Sequence, residues 1–100
     1  MDLIKVTAEV ELLSTANGGR EKPVRTGYSP NHRFDSMSYY IGRIDFDDEE
    51  WHAPGTRSIA TIDFVPSPRL RERLQPGFAW DITEGAHVVG RAVLLTVGKS

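Results

Sequence analysis

The chain contains no cysteine. Disulfide frameworks and thiolate metal sites are thereby excluded, and a reducing, cytoplasmic setting is the expected one. No run of residues approaches the roughly 20 apolar positions that span a bilayer. The start, Met1-Asp2-Leu3-Ile4-Lys5, lacks the apolar core of a secretion signal, so no membrane partner is expected. Positive charge is not in excess either: 12 Lys and Arg stand against 14 Asp and Glu, a net charge of −2, which is not the footprint of a polyanion-binding domain. The charge is unevenly placed. Residues 1–56 hold 6 basic and 10 acidic side chains, whereas residues 57–100 hold 6 basic and 4 acidic, and much of the early excess lies between Asp45 and Glu50. Linkers, internal repeats and low-complexity tracts are absent. A chain of 100 residues, 39% of them hydrophobic, fits one ordinary globular domain, 1–100.

The apolar residues that are present alternate with polar ones. Val6, Ala8, Val10 and Leu12 are interleaved with Thr7, Glu9 and Glu11, the period of two that marks a half-buried strand. Asn17-Gly18-Gly19 is a turn signal, and Pro23 to Pro30 reads as a loop or short extended segment. Met37 to Phe46 is a second strand region, with Tyr40, Gly42, Ile44 and Phe46 on one face and Ile41, Arg43 and Asp45 on the other. Ile59 to Val65 follows, with Ala60, Ile62 and Phe64 together, and Pro66 and Pro68 stop it. Arg69 to Gln75 is the one helical turn, with Leu70 and Leu74 four apart. Phe78, Trp80 and Ile82 alternate with Ala79, Asp81 and Thr83. Val88 to Val97 is apolar enough on both faces for a central strand. Short strands divided by Gly and Pro predict an all-β sandwich or barrel, and a closed barrel is preferred because closure removes sheet edges.

Few residues carry chemistry in a recognisable spacing. Gly98-Lys99-Ser100 lacks the earlier glycine of a phosphate loop, since Val93 stands there. Asp45, Asp47, Asp48, Glu49 and Glu50 have Glu50 where a calcium loop needs glycine, so a solvated acidic turn is expected. His32, His52 and His87 share no metal-ligand spacing, and each is expected at the surface or in a loop. Ser29, His32 and Asp35 do not form the multi-element pattern of a nucleophilic triad. No cofactor and no catalytic constellation are expected. Trp80 is placed in the core with Phe78 and Ile82. Trp51, after four acids, is expected to cap the barrel and, failing that, to anchor a partner. Tyr28, Tyr39 and Tyr40 are mixed with Arg25, Arg33 and Arg43, a pattern that also arises when core and polar positions alternate. Arg69, Arg71 and Arg73 crowd one segment. A helix sets Arg69 and Arg73 on one face, available to an acidic or phosphate-bearing partner.

The ordered set Ala8-Glu9-Val10, Gly18-Gly19-Arg20, Pro23, Gly27-Tyr28-Ser29-Pro30 and Phe34, followed by Pro54-Gly55, Glu84-Gly85 and Val89-Gly90, resembles the C-terminal β-barrel domain of elongation factor Tu from about Ile4 to Val97. The resemblance implies a six-stranded antiparallel barrel. In that factor the domain contacts the acceptor and T stems of aminoacyl-tRNA and meets the nucleotide-exchange factor, while the GTPase domain lies elsewhere. Matching positions here are Arg20, Asn31, Glu84 and Gly85. Departures from the family pattern fall at Glu21, at Ser29 where an arginine is usual, and across Phe34-Asp35-Ser36-Met37-Ser38. Replacing a phosphate-binding side chain by a neutral or acidic one reduces RNA affinity. Two readings follow. One is a non-catalytic, translation-linked module binding tRNA or a translation-factor protein through Arg20, Asn31, Glu84 and Gly85, with Arg25 and Arg33 nearby. The other is a protein-interaction module mimicking that domain, a decoy or immunity-type inhibitor, using the acidic turn and Trp51. Oligomeric state is not set by the sequence.

Overall fold

The computed structural model describes residues 2–98. Six strands form it: β1 (Ile4–Leu12), β2 (Asn31–Asp35), β3 (Ser38–Phe46), β4 (Arg57–Phe64), β5 (Ala79–Glu84) and β6 (His87–Val97), with one short helix, α1 (Pro68–Arg73). The sheet closes in the order β1-β4-β3-β2-β5-β6, and β6 returns to β1. All neighbours are antiparallel, so the fold is the closed six-stranded antiparallel barrel that the sequence implies. Every backbone ladder is satisfied sideways, leaving no open sheet edge. Among the described residues, no helix is long and apolar enough to cross a membrane.

Alternation places the core. Val6, Ala8 and Val10 of β1, Ile44 of β3, Ala60, Ile62 and Phe64 of β4, and Trp80 and Ile82 of β5 are all buried in one cluster. Gly42 lies among them because a methyl group there would meet His32 Nε2, Ile62 Cγ2 and Phe64 Cδ1, each at 3.0 Å. Leu70 of α1 and the adjoining Leu74 join the same cluster and close the lower mouth, below the ends of β4 and β2. Burying each of these leucines contributes about 2 kcal/mol.

The structure corrects five expectations. His32 is not at the surface: it is fully buried on the inward face of β2 between Phe64 and Trp80. Its burial is tolerated because both ring nitrogens are paired. Thr83 does not continue the outer face of β5. The register with β6 shifts between Ile82 and Thr83, so both residues are buried. β6 is central in pairing, yet its second face is not covered, since Val93, Leu95 and Val97 remain partly exposed. Trp51 does not cap the barrel; 60% of it is exposed. The helix begins at Pro68, one residue before Arg69, and ends at Arg73. Lys99 and Ser100 of the Gly98-Lys99-Ser100 segment lie outside the described residues.

Candidate binding rim

The loops after β1 and β3 and the β5–β6 turn share one end of the barrel, the upper rim. Each loop is fixed by local chemistry. Ser14 accepts a hydrogen bond from the Asn17 N–H and starts a 3₁₀ turn over Thr15–Asn17, which Gly18 ends with φ of 89°. Gly19 then passes so close to β1 that a Cβ would lie 2.1 Å from the Leu13 carbonyl oxygen. The hydroxyl of Thr15 donates to the Arg20 carbonyl at 2.6 Å, which fixes where the Arg20 side chain begins.

The chain next crosses the rim. Val24 and His52 exchange backbone hydrogen bonds of 3.0 and 2.7 Å, which joins the loop after β1 to the loop after β3. Tyr28 is bridged to Ile44, its carbonyl accepting from the Ile44 N–H at 2.8 Å. The β5–β6 turn, Glu84 to His87, is tied to the same loop by a 2.6 Å contact between His87 Nε2 and the Gly18 carbonyl.

These links bring together the residues that the family resemblance singles out. Glu84 Oε2 accepts from Arg20 Nη1 and, at 2.6 Å, from the Tyr28 hydroxyl. The Arg20 guanidinium also lies over the Tyr28 ring, 5.3 Å from its centroid. Burial, and then the Glu84 carboxylate, push the Tyr28 phenol above its ordinary range. Gly85 follows Glu84 in a left-handed conformation, φ 61°. Asn31 pairs with Thr83, one position before Glu84. Arg20, Asn31, Glu84 and Gly85 therefore occupy one sector of the rim.

Arg25 and Trp51 adjoin it. The Arg25 guanidinium sits 5.1 Å over the Trp51 ring and 3.6 Å from a Glu49 carboxylate oxygen. Arg20, Lys22, Pro23 and Trp51 line a shallow groove of about 580 Å³. Trp51, assigned in the sequence to the protein-mimic reading, thus shares a groove with Arg20. His52 turns inward behind Trp51, stacked on Phe46 at 3.9 Å and bonded to Ser58 and Asp48. That bond holds the Asp48 carboxyl below its ordinary range.

The other predicted residues lie elsewhere. Arg33 is on the barrel wall, 2.6 Å from Asp81, which also faces Arg91 at 3.8 Å. Arg69 is exposed on α1 at the lower end. Arg73, also on α1, turns back onto the barrel: it donates to Asp35 at 2.8 Å and covers the Phe34 and Phe78 rings. The two helix arginines therefore do not act as one pair toward a partner. Sequence reasoning left out Tyr28 and Pro23 as rim residues in their own right. Both belong to the family signature, but the bond of Tyr28 to Glu84 and the groove that Pro23 shares with Trp51 span long stretches of sequence.

The closed six-stranded barrel with this polar rim defines a translation-factor-like domain. The chain is similar to elongation factor Tu 2 of Streptomyces avermitilis, with 32% identity over 96 residues, 93% of this chain. It spans 23% of that relative's length, and it resembles the C-terminal barrel domain of elongation factor Tu. No family model matches the chain.

Proposed function

We propose that this chain is a non-catalytic binding module, linked to translation, whose upper rim holds a protein partner of the translation machinery. One observation carries the reading: Trp51 is largely exposed yet held in place, with Arg25 across its face and Pro23 across the groove. A large aromatic side chain held in this way is the kind of residue that anchors protein interfaces. The surrounding charge favours a protein over RNA. Asp47, Asp48, Glu49 and Glu50 adjoin Trp51, and Arg20 is already neutralised by Glu84. A phosphate backbone approaching this rim meets at least as much repulsion as attraction.

A second reading, tRNA binding, is supported by the gathering of Arg20, Asn31, Glu84 and Gly85 in one sector. Titration of the chain with the purified nucleotide-exchange factor of elongation factor Tu and, separately, with aminoacyl-tRNA distinguishes the two. The protein reading expects the exchange factor to bind and Trp51→Ala to weaken it about tenfold or more. A mimic of the factor's domain would also compete with elongation factor Tu for that partner. Binding of tRNA that falls steeply with salt and is abolished by Arg20→Glu, with no binding of the exchange factor, would establish the second reading instead.

A further inference from the structure

The barrel wall carries an apolar face that no other part of the described chain covers. The Val65 N–H donates to the Ile41 carbonyl at 3.0 Å, and Leu3 precedes Ile4, which pairs with Phe64. Ile4, Phe64 and Gly42 point inward, so strand alternation turns Leu3, Val65 and Ile41 outward side by side. Tyr39 lies two residues from Ile41 on the same side of β3. These four residues are between 44% and 61% exposed.

The charges on the strands beside this face are paired with one another, and the unpaired cations lie on α1. The next row across the strands is Arg43, Asp63 and Lys5, and both cations are paired, Lys5 with Asp63 at 3.2 Å and Arg43 with Asp45 at 3.1 Å. Just beyond Val65, α1 presents Arg69 and Arg71, which make no ion pair among the described residues, beside a single exposed acid, Glu72. The face is therefore apolar, with two unpaired arginines along its α1 edge. The upper rim carries its complement, the exposed acids Asp47 to Glu50 followed by exposed Trp51.

We propose that copies of this chain associate head to tail. Trp51 of one copy is seated on the Leu3, Tyr39, Ile41 and Val65 face of the next, and Asp47, Glu49 and Glu50 lie against Arg69 and Arg71. Pairing the face with itself would instead bring two sets of like charges together. The contact is heterologous and leaves one rim and one face free, so assembly is open-ended and concentration-dependent. Because the ion pairs lie at the border of the contact, salt weakens it.

Velocity sedimentation of the full chain tests this. The native chain is expected to sediment faster as its concentration rises at low salt, and to return to monomer near about 0.5 M salt. Ile41→Glu is expected to remain monomeric with an unchanged melting temperature, and to keep any affinity for the exchange factor, because it leaves the rim intact. Two charge-reversed chains provide the decisive arm. Arg69→Glu with Arg71→Glu, and Glu49→Lys with Glu50→Lys, each place like charges at the contact and are expected to be monomeric alone. Mixed in equal amounts, they restore complementary contacts and association. A native chain that is monomeric up to about 1 mM, or a mixture that stays monomeric, overturns the proposal.

Discussion

Trp80 donates its indole N–H to His32 Nδ1 at 2.9 Å inside the barrel. An indole nitrogen can only donate, so Nδ1 must be the acceptor and the ring proton sits on Nε2. From there it is donated to the Gly42 carbonyl at 3.0 Å. The neutral tautomer is thus fixed by geometry, and a second ring proton would point at the indole N–H. Burial lowers the His32 pKa to about 4, partly offset by the bond to Gly42.

Acid should therefore destabilise the fold through His32. The unfolded chain takes up the proton near pH 6.5 and the folded chain only near pH 4. Between these values the unfolded state binds more protons, so stability is complete above about 6.5 and falls as pH drops toward 4. The expected loss from this group is about 3 kcal/mol. Urea unfolding at a series of pH values measures it, and His32→Gln, which cannot take up the proton, should flatten the profile in that window. An equal slope in both proteins would contradict the buried neutral state.

Gly42→Ala should destabilise the barrel by about 1–3 kcal/mol, because the new methyl group has no room among His32, Ile62 and Phe64. Thermal unfolding reads this directly. A variant as stable as the native chain would mean that these three side chains yield easily to an added methyl group.

Gly18 and Gly19 should respond differently to alanine. At Gly18 a methyl group meets open space, and only the left-handed backbone is strained, at a cost of about 1 kcal/mol. At Gly19 it would run into the backbone of Leu13 and Ser14, just past the end of β1. Gly19→Ala should therefore be the more destabilising by chemical denaturation, and it should also displace Arg20. Equal effects would show that the turn relaxes easily.

The Arg20, Tyr28 and Glu84 cluster should behave as a coupled unit. Tyr28→Phe and Glu84→Gln each remove part of the same hydrogen-bonded group. A double-mutant cycle on stability should give a coupling of about 0.5–1.5 kcal/mol. A coupling of zero would mean that the rim bonds are not populated in solution.

Four of the six strands were legible as alternating apolar residues and β6 as a run apolar on both faces, and the faces assigned to β3 and β4 were correct because their inward residues are all apolar or glycine. β2 was not legible in that way. Its inward positions are His32 and Phe34, and a histidine does not register as core until its two partners, Trp80 and Gly42, are known to lie beside it. It entered only through the family resemblance. Thr83 was misplaced because a bulge changes which face a residue occupies, and a bulge leaves no trace in a period-two pattern. For the rim, the resemblance supplied Arg20, Asn31, Glu84 and Gly85, but not their arrangement. Arg20 and Glu84 meet across 64 residues of sequence, and Trp51 joins them only through the bridge between Val24 and His52. Arg73 was misread because helical spacing predicts a shared face with Arg69, and cannot foresee that Asp35 and two aromatic rings are within its reach.

The most direct test is chemical-shift mapping of the isotopically labelled Ile41→Glu chain, in which self-association is removed and the rim is intact, during titration with the nucleotide-exchange factor. The changes expected are confined to Arg20–Tyr28, Asp47–Trp51 and Glu84–His87, with α1 and the β2–β3 turn unaffected. Changes centred on α1, or no changes at saturating partner, would contradict the assignment of the upper rim as the working surface.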